Sequence, residues 1–325
     1  MNNIKLAILV VYLVQEEDGH ILDIHLNYIK KNTHIPYTIY GYANRLVPKF
    51  IQKLEQEPTV KLCDCKPTEL RGATEHGFYL EQLLEFAIAD DNTHICTLDL
   101  DSFPIRSDWV EYLASKLSES CPLTGILRVE NGDKVLTHPS CILFRKDFFL
   151  KYKPMFFTFE TPEYKQFLQE NNQRPDTGIG YSYTLYKNNL SWYKMLRSNK
   201  AEDHYLVGGV YDDIIFHLGS ASRVKDAKLT FNKYSNKSKL RKLMVFMARR
   251  INKDTSAIAN RLESLGVKMP TSHKLLRKIE EIIYKQTTKK NIDVVNYVKL
   301  QLLERPESYI DYLRTGIKIE SSKSS

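Results

Sequence analysis

Between Ile4 and Leu98 the chain repeats one alternation: a short apolar run of strand length, then a segment with apolar residues at helical spacing. Few patterns constrain a fold more. Parallel strands need long crossovers, and helices supply them. Ile4 to Val14 reads as a buried first strand, and Ile21 to Lys31 as a helix with Ile21, Ile24 and Tyr28 on one face. Tyr37 to Tyr42, after Pro36, reads as a second strand. A helix over Pro48 to Gln56 and a short strand over Val60 to Cys63 follow. His76 to Ala89 is helical in period, His94 to Leu98 is a strand, and Asp108 to Leu117 is a helix with Ser107 as its expected N-cap. The pattern predicts an α/β sheet flanked by helices, with ligands beyond the carboxyl ends of the strands.

The middle of the chain is less regular. Gly125 to Phe149 reads as strand segments around a loop holding His138 and Pro139, and Phe156 to Pro175 as a mobile loop. Ile214 to Phe216 is a short strand. Composition shifts near Arg223: basic residues rise and glycine nearly vanishes. Leu240–Ile251, Ala257–Leu265, Lys274–Gln286 and Val294–Leu303 read as helices, and Glu320–Ser325 as a frayed tail. The expected division is therefore an α/β domain over 1–225 and a helical C-terminal extension over 226–325.

Totals exclude some classes. With 42% hydrophobic and 26% charged residues the chain can bury a real core. No apolar run reaches the ~20 residues that span a bilayer, and the first run lacks a signal cleavage site. Five cysteines at irregular spacing point to free thiols in a reducing cytoplasm, and Cys63-Asp-Cys65 is too short for a zinc knuckle. A net charge of +8 suits an anionic partner. The basic region shows no nucleic-acid signature. Leu240 to Arg250 is amphipathic enough to rest on an anionic membrane face at the inner side of the membrane, or to pack on the α/β domain.

Two carboxylates, Asp99 and Asp101, end the His94–Leu98 strand in Leu-Asp-Leu-Asp-Ser-Phe-Pro. On a regular strand they would face opposite ways; where the strand ends, both can converge on one hard divalent cation such as Mg²⁺ or Mn²⁺. Either could equally cap a helix or close a turn.

Leu98-Asp-Leu-Asp-Ser-Phe-Pro104, with Glu75-His-Gly77 ahead of it and His138-Pro-Ser-Cys-Ile-Leu-Phe144 and His217-Leu-Gly-Ser-Ala-Ser-Arg223 behind it, resembles the nucleotide-sugar-dependent glycosyltransferases of the GT-A fold. The blocks stand in the order those enzymes show and span about the first two thirds of the chain. The resemblance implies a Rossmann-like mixed sheet flanked by helices. It implies that Asp99 and Asp101 engage the metal and the sugar nucleotide, and that His217 completes the metal shell. The donor is then a nucleoside-diphosphate sugar, with uridine favoured, and the acceptor a glycan or lipid-linked hydroxyl, as in polysaccharide biosynthesis. Arg223 is expected to help hold the diphosphate, His76 and Gly77 to line the nucleotide pocket, and His138 the acceptor side. Asp176 is the first candidate for a catalytic base, with Asp212 and Asp213 as alternatives. Asp-Leu-Asp-Ser also resembles the first motif of haloacid-dehalogenase-type phosphatases, in which Asp99 would be the nucleophile and Asp212–Asp213 the late acidic pair. A non-catalytic protein binding anionic surfaces through its basic helices is the third reading.

Overall fold

The computed structural model describes residues 4–156, 161–204, 206–219 and 295–317. A seven-stranded sheet runs in the order β3-β2-β1-β4-β7-β6-β8. Its members are β1 (Leu6–Tyr12), β2 (Tyr37–Ala43), β3 (Val60–Leu62), β4 (His94–Leu98), β6 (Leu123–Ile126), β7 (His138–Arg145) and β8 (Tyr193–Met195). The four strands of the first half are parallel, as their helical crossovers dictate. β7 then runs antiparallel to both β4 and β6. The sheet is therefore mixed and flanked by helices: α1 (Gly19–Asn32), α2 (Pro48–Gln56), α3 (Ala73–Ala89), α4 (Trp109–Ala114), α5 (Lys146–Tyr152), α6 (Pro162–Glu170) and α7 (Ile179–Lys187).

Every residue of β1 is buried, which is why this strand reads as a continuous apolar run and not an alternating one. Leu80, Leu83, Leu84 and Ala87 of α3 pack on the same core as Leu9, Ile95 and Ile142. The sequence thus places its helical faces where the sheet needs covering.

A second sheet of three strands is built from β5 (Ser102–Pro104), β9 (Gly209–Tyr211) and β10 (Ile215–His217), in the order β5-β10-β9. It brings the end of the Asp-x-Asp block against His217 by the register Ser102↔His217. Pro104 is the last residue of β5. β5 lies at the edge of its sheet, where a proline without an N–H costs no ladder bond.

Other expectations shift. Ser107 is not the N-cap of α4; Asp108 holds that position and turns its carboxylate back to Arg106. His138 and Pro139 open β7 and do not lie in a loop. Part of the expected mobile loop is helix α6: Thr161 accepts the Tyr164 N–H at 3.2 Å and Pro162 takes the first turn.

The chain divides into two units, residues 1–224 with 295–325, and residues 225–294. Residues 295–304 are helical, as expected, and α8 (Pro306–Thr315) follows them. Residues 295–325 group with the first unit. Lys299 forms a buried ion pair with Asp18 at 2.6 Å. Tyr309 donates to Asp203, and the Lys200 N–H donates to the Leu313 carbonyl. Arg223, the expected helices over Leu240–Ile251, Ala257–Leu265 and Lys274–Gln286, the amphipathic stretch Leu240–Arg250 and the tail lie outside the described residues. No described helix is long and apolar enough to cross a membrane. The cysteines are free thiols.

Candidate active site

β4 ends at Leu98, and the chain turns at once: the Ser102 N–H donates to the Asp99 carbonyl at 2.9 Å. That turn cancels the alternation of a regular strand and lets Asp99 and Asp101 face one point. His217 reaches the same point from β10. Its Nε2 lies 3.7 Å from Asp99 Oδ2 and 3.5 Å from Asp101 Oδ1. One donor atom from each of Asp99, Asp101 and His217 falls within 4.8 Å of the others. Two carboxylates and an imidazole form a hard donor set that fits Mn²⁺ or Mg²⁺.

The surroundings hold this group in place. The backbone N–H groups of Leu218 and Gly219 donate to the carbonyl and to Oδ2 of Asp101, at 2.9 and 3.1 Å. Gly219 has φ +87, and a Cβ there would meet the Leu206 carbonyl at 2.9 Å, so this close return of the backbone requires glycine. Behind the loop, His25 Nδ1 bonds the Ser102 carbonyl at 2.9 Å. Burial pushes the His25 pKa down to about 4, so it is a neutral donor at ordinary pH.

His76, on the first turns of α3, directs Nε2 at Asp99 Oδ1 from 3.6 Å. Burial pushes the Asp99 carboxyl above its ordinary value; His76, His217 and Arg128 oppose that shift, and the Asp101 charge adds to it. The His138 ring stands 5.4 Å from that of His217, with its Nε2 3.3 Å from Arg128 Nη1. The sequence-expected residues Asp99, Asp101, His217, His76 and His138 are thus gathered at one place. Gly77 faces elsewhere: a Cβ there would meet Phe156 at 3.6 Å, an ordinary packing contact.

The base candidates differ. Asp176 lies in the loop before α7, where its carboxylate accepts the Thr177 N–H at 2.8 Å. The Thr177 hydroxyl donates to the Ala73 carbonyl at 2.7 Å, which ties this loop to the end of α3 that carries His76. Asp212 and Asp213 form the turn between β9 and β10, at the opposite end of β10 from His217. Asp212 accepts from Tyr193, and Asp213 takes both ends of the Arg314 guanidinium fork.

Arg128 is the residue the sequence reading passed over. It stands in no motif block, and only the strand order reveals it: the pairing β4-β7-β6 swings the end of β6 toward the Asp-x-Asp turn.

No protein-family model and no curated protein sequence matches the chain. Among solved structures it is similar to residues 1–349 of S. aureus TarS in complex with UDP-GlcNAc, at 10% identity and TM-score 0.36, over 62% of this chain and 60% of that one. It is similar to mouse xyloside xylosyltransferase 1 in its apo form, at 10% identity and TM-score 0.36, over 59% and 84% of the two chains. The third is the glycosyltransferase GlyE of Streptococcus pneumoniae TIGR4, at 13% identity and TM-score 0.35, over 59% and 45%. The match to this chain covers 60% of the TarS structure's length.

Proposed function

We propose that this protein is a metal-dependent glycosyltransferase that moves a sugar from a nucleoside-diphosphate sugar to a hydroxyl acceptor. One observation carries the reading: Asp99, Asp101 and His217 converge within 4.8 Å at the carboxyl end of β4. A strand end in a mostly parallel half-sheet is where such folds take ligands. These three side chains would hold Mn²⁺ or Mg²⁺, which supplies Lewis-acid neutralisation of the diphosphate as the glycosidic bond breaks.

The chain's own residues account for the rest. His76 steadies Asp99, and the Gly219 N–H steadies Asp101. Asp176 takes the proton from the acceptor hydroxyl; Asp213 is engaged by Arg314 and is the poorer base. The donor is a uridine-diphosphate sugar and the acceptor a glycan or lipid-linked hydroxyl, in a cytoplasmic enzyme of polysaccharide assembly. The basic stretch Leu240 to Arg250 would give it peripheral membrane contact.

The phosphatase alternative requires an acidic pair returned beside Asp99. His217 occupies that place, and Asp212 and Asp213 sit at the far end of β10.

The reading is tested by incubating the protein with Mn²⁺ and UDP-, GDP-, CDP- and TDP-sugars and measuring nucleoside-diphosphate release. Release from one donor, abolished by Asp101→Asn, is expected. Phosphate release from p-nitrophenyl phosphate that depends on Asp99, with no release from any sugar nucleotide, would replace the reading with the phosphatase.

A further inference from the structure

Arg128 follows β6 and precedes a short 3-10 turn over Val129–Asn131. Its guanidinium stands between two parts of the site. On one side Nη1 meets His138 Nε2 at 3.3 Å. On the other, Nη2 would lie 4.0 Å from a Cβ built on Gly219, whose N–H holds the Asp101 carboxylate.

Among the described residues it lacks a contact anion: Asp99 and Asp133, whose carboxyls its charge favours in the ionised form, act on it only at longer range. Among the described residues, no carboxylate comes within ion-pair distance of Arg128, although it is half-buried. Its Nε is buried and has no hydrogen-bond partner. A guanidinium offers five N–H donors in a fixed fork that suits phosphate. Leaving such a group desolvated without a counter-ion is costly, so an unpaired one beside a site asks for an explanation.

Charge counting supplies it. Two carboxylates and a divalent ion sum to zero. The donor's diphosphate brings two negative charges, and loss of the sugar adds a third. A cation fixed beside the ion would act on the charge that grows as the bond breaks. Resting on the glycosyl-transfer reading, we propose that Arg128 binds the terminal phosphate of the nucleoside diphosphate, and stabilises it as the leaving group, with His138 fixing the orientation of the guanidinium.

The test is calorimetric titration of UDP and UMP, each with Mn²⁺, and of Mn²⁺ alone, into wild type, Arg128→Lys and Arg128→Ala. If Arg128 meets the terminal phosphate, Arg128→Ala weakens UDP by about ten- to a hundredfold and UMP by less than about threefold, while Mn²⁺ alone binds as before. Arg128→Lys, which keeps the charge and loses the fork, falls between, and it decides the matter if the alanine variant does not fold. Equal weakening of UDP and UMP, or loss of Mn²⁺ binding, would overturn the assignment and make Arg128 a support of the fold or the metal ligands. Wild type that binds Mn²⁺ but neither UDP, UMP nor, in a control titration, GDP would instead overturn the functional reading on which it rests.

Discussion

His217 Nε2 lies 3.5 Å from the Asp101 carboxylate, held there because β10 pairs with β5 in the register Ser102↔His217. The candidate metal site is therefore made by the junction of the two sheets. The large sheet supplies the aspartates at the end of β4, and the small sheet supplies the histidine.

His217→Ala should leave the fold intact, since the side chain ends a strand whose ladder is backbone. Metal affinity should fall by at least the ten- to a hundredfold typical of losing an outer-shell partner. Calorimetry with Mn²⁺ measures this, and circular dichroism checks the fold.

Asp176→Asn keeps the side chain's size and its bond from the Thr177 N–H. Nucleoside-diphosphate binding should persist while transfer falls by about a hundredfold or more, the loss of a general base. Steady-state transfer rates beside calorimetry separate the two. An unchanged rate would send the search for the base elsewhere.

Gly178 has φ +93, and a Cβ there would stand 2.1 Å from the Thr137 carbonyl. Gly178→Ala should destabilise the protein by about 2 kcal/mol or more, combining strain with a displaced β7 entry. It should also lower transfer, because the same loop carries Asp176. Urea denaturation gives the stability change.

The Lys299–Asp18 pair is buried, so removing one partner strands the other charge. Lys299→Met should cost about 3–5 kcal/mol, and adding Asp18→Leu should recover part of it. Denaturant midpoints for the single and double variants test this, and with it the membership of residues 295–317 in the first unit.

The hydrogen-bonded Arg314 guanidinium holds the Asp213 carboxyl below its ordinary value. A depressed folded-state value adds stability above the unfolded value near pH 3.9, and that gain is lost as pH falls through the folded value. Half-exposed as the pair is, the gain should be about 1 kcal/mol or less. The melting temperatures of wild type and Asp213→Asn should differ at pH 6 and converge below about pH 4.

The first half of the fold was legible because its physics is local. β4 and α2 occupy the spans expected for them, since a buried strand must be apolar throughout and a proline opens a helix well. Helix α6 lies inside the stretch expected to be a loop, although Thr161-Pro162-Glu163 carries its signal, an N-cap, a proline and a first-turn acid, among aromatics that break the helical period. β5, β8 and β9 were not legible, because each spans three residues and exists only through its partner. Asp99, Asp101 and His217 could be named from their motif blocks. Arg128 could not, because it follows an unremarkable Ile-Leu and reaches the site only through the order of strands.

The central claim is that Asp99, Asp101 and His217 hold a divalent ion that engages a nucleoside diphosphate. It is tested most directly by thermal shift with UDP, GDP, CDP and TDP, each with and without Mn²⁺, on wild type and Asp101→Ala. A ligand that binds the folded state raises its melting temperature by mass action. The account predicts a shift for one nucleotide, dependent on Mn²⁺ and absent in the variant. A nucleotide shift that is the same without Mn²⁺, or is retained in Asp101→Ala, would contradict it.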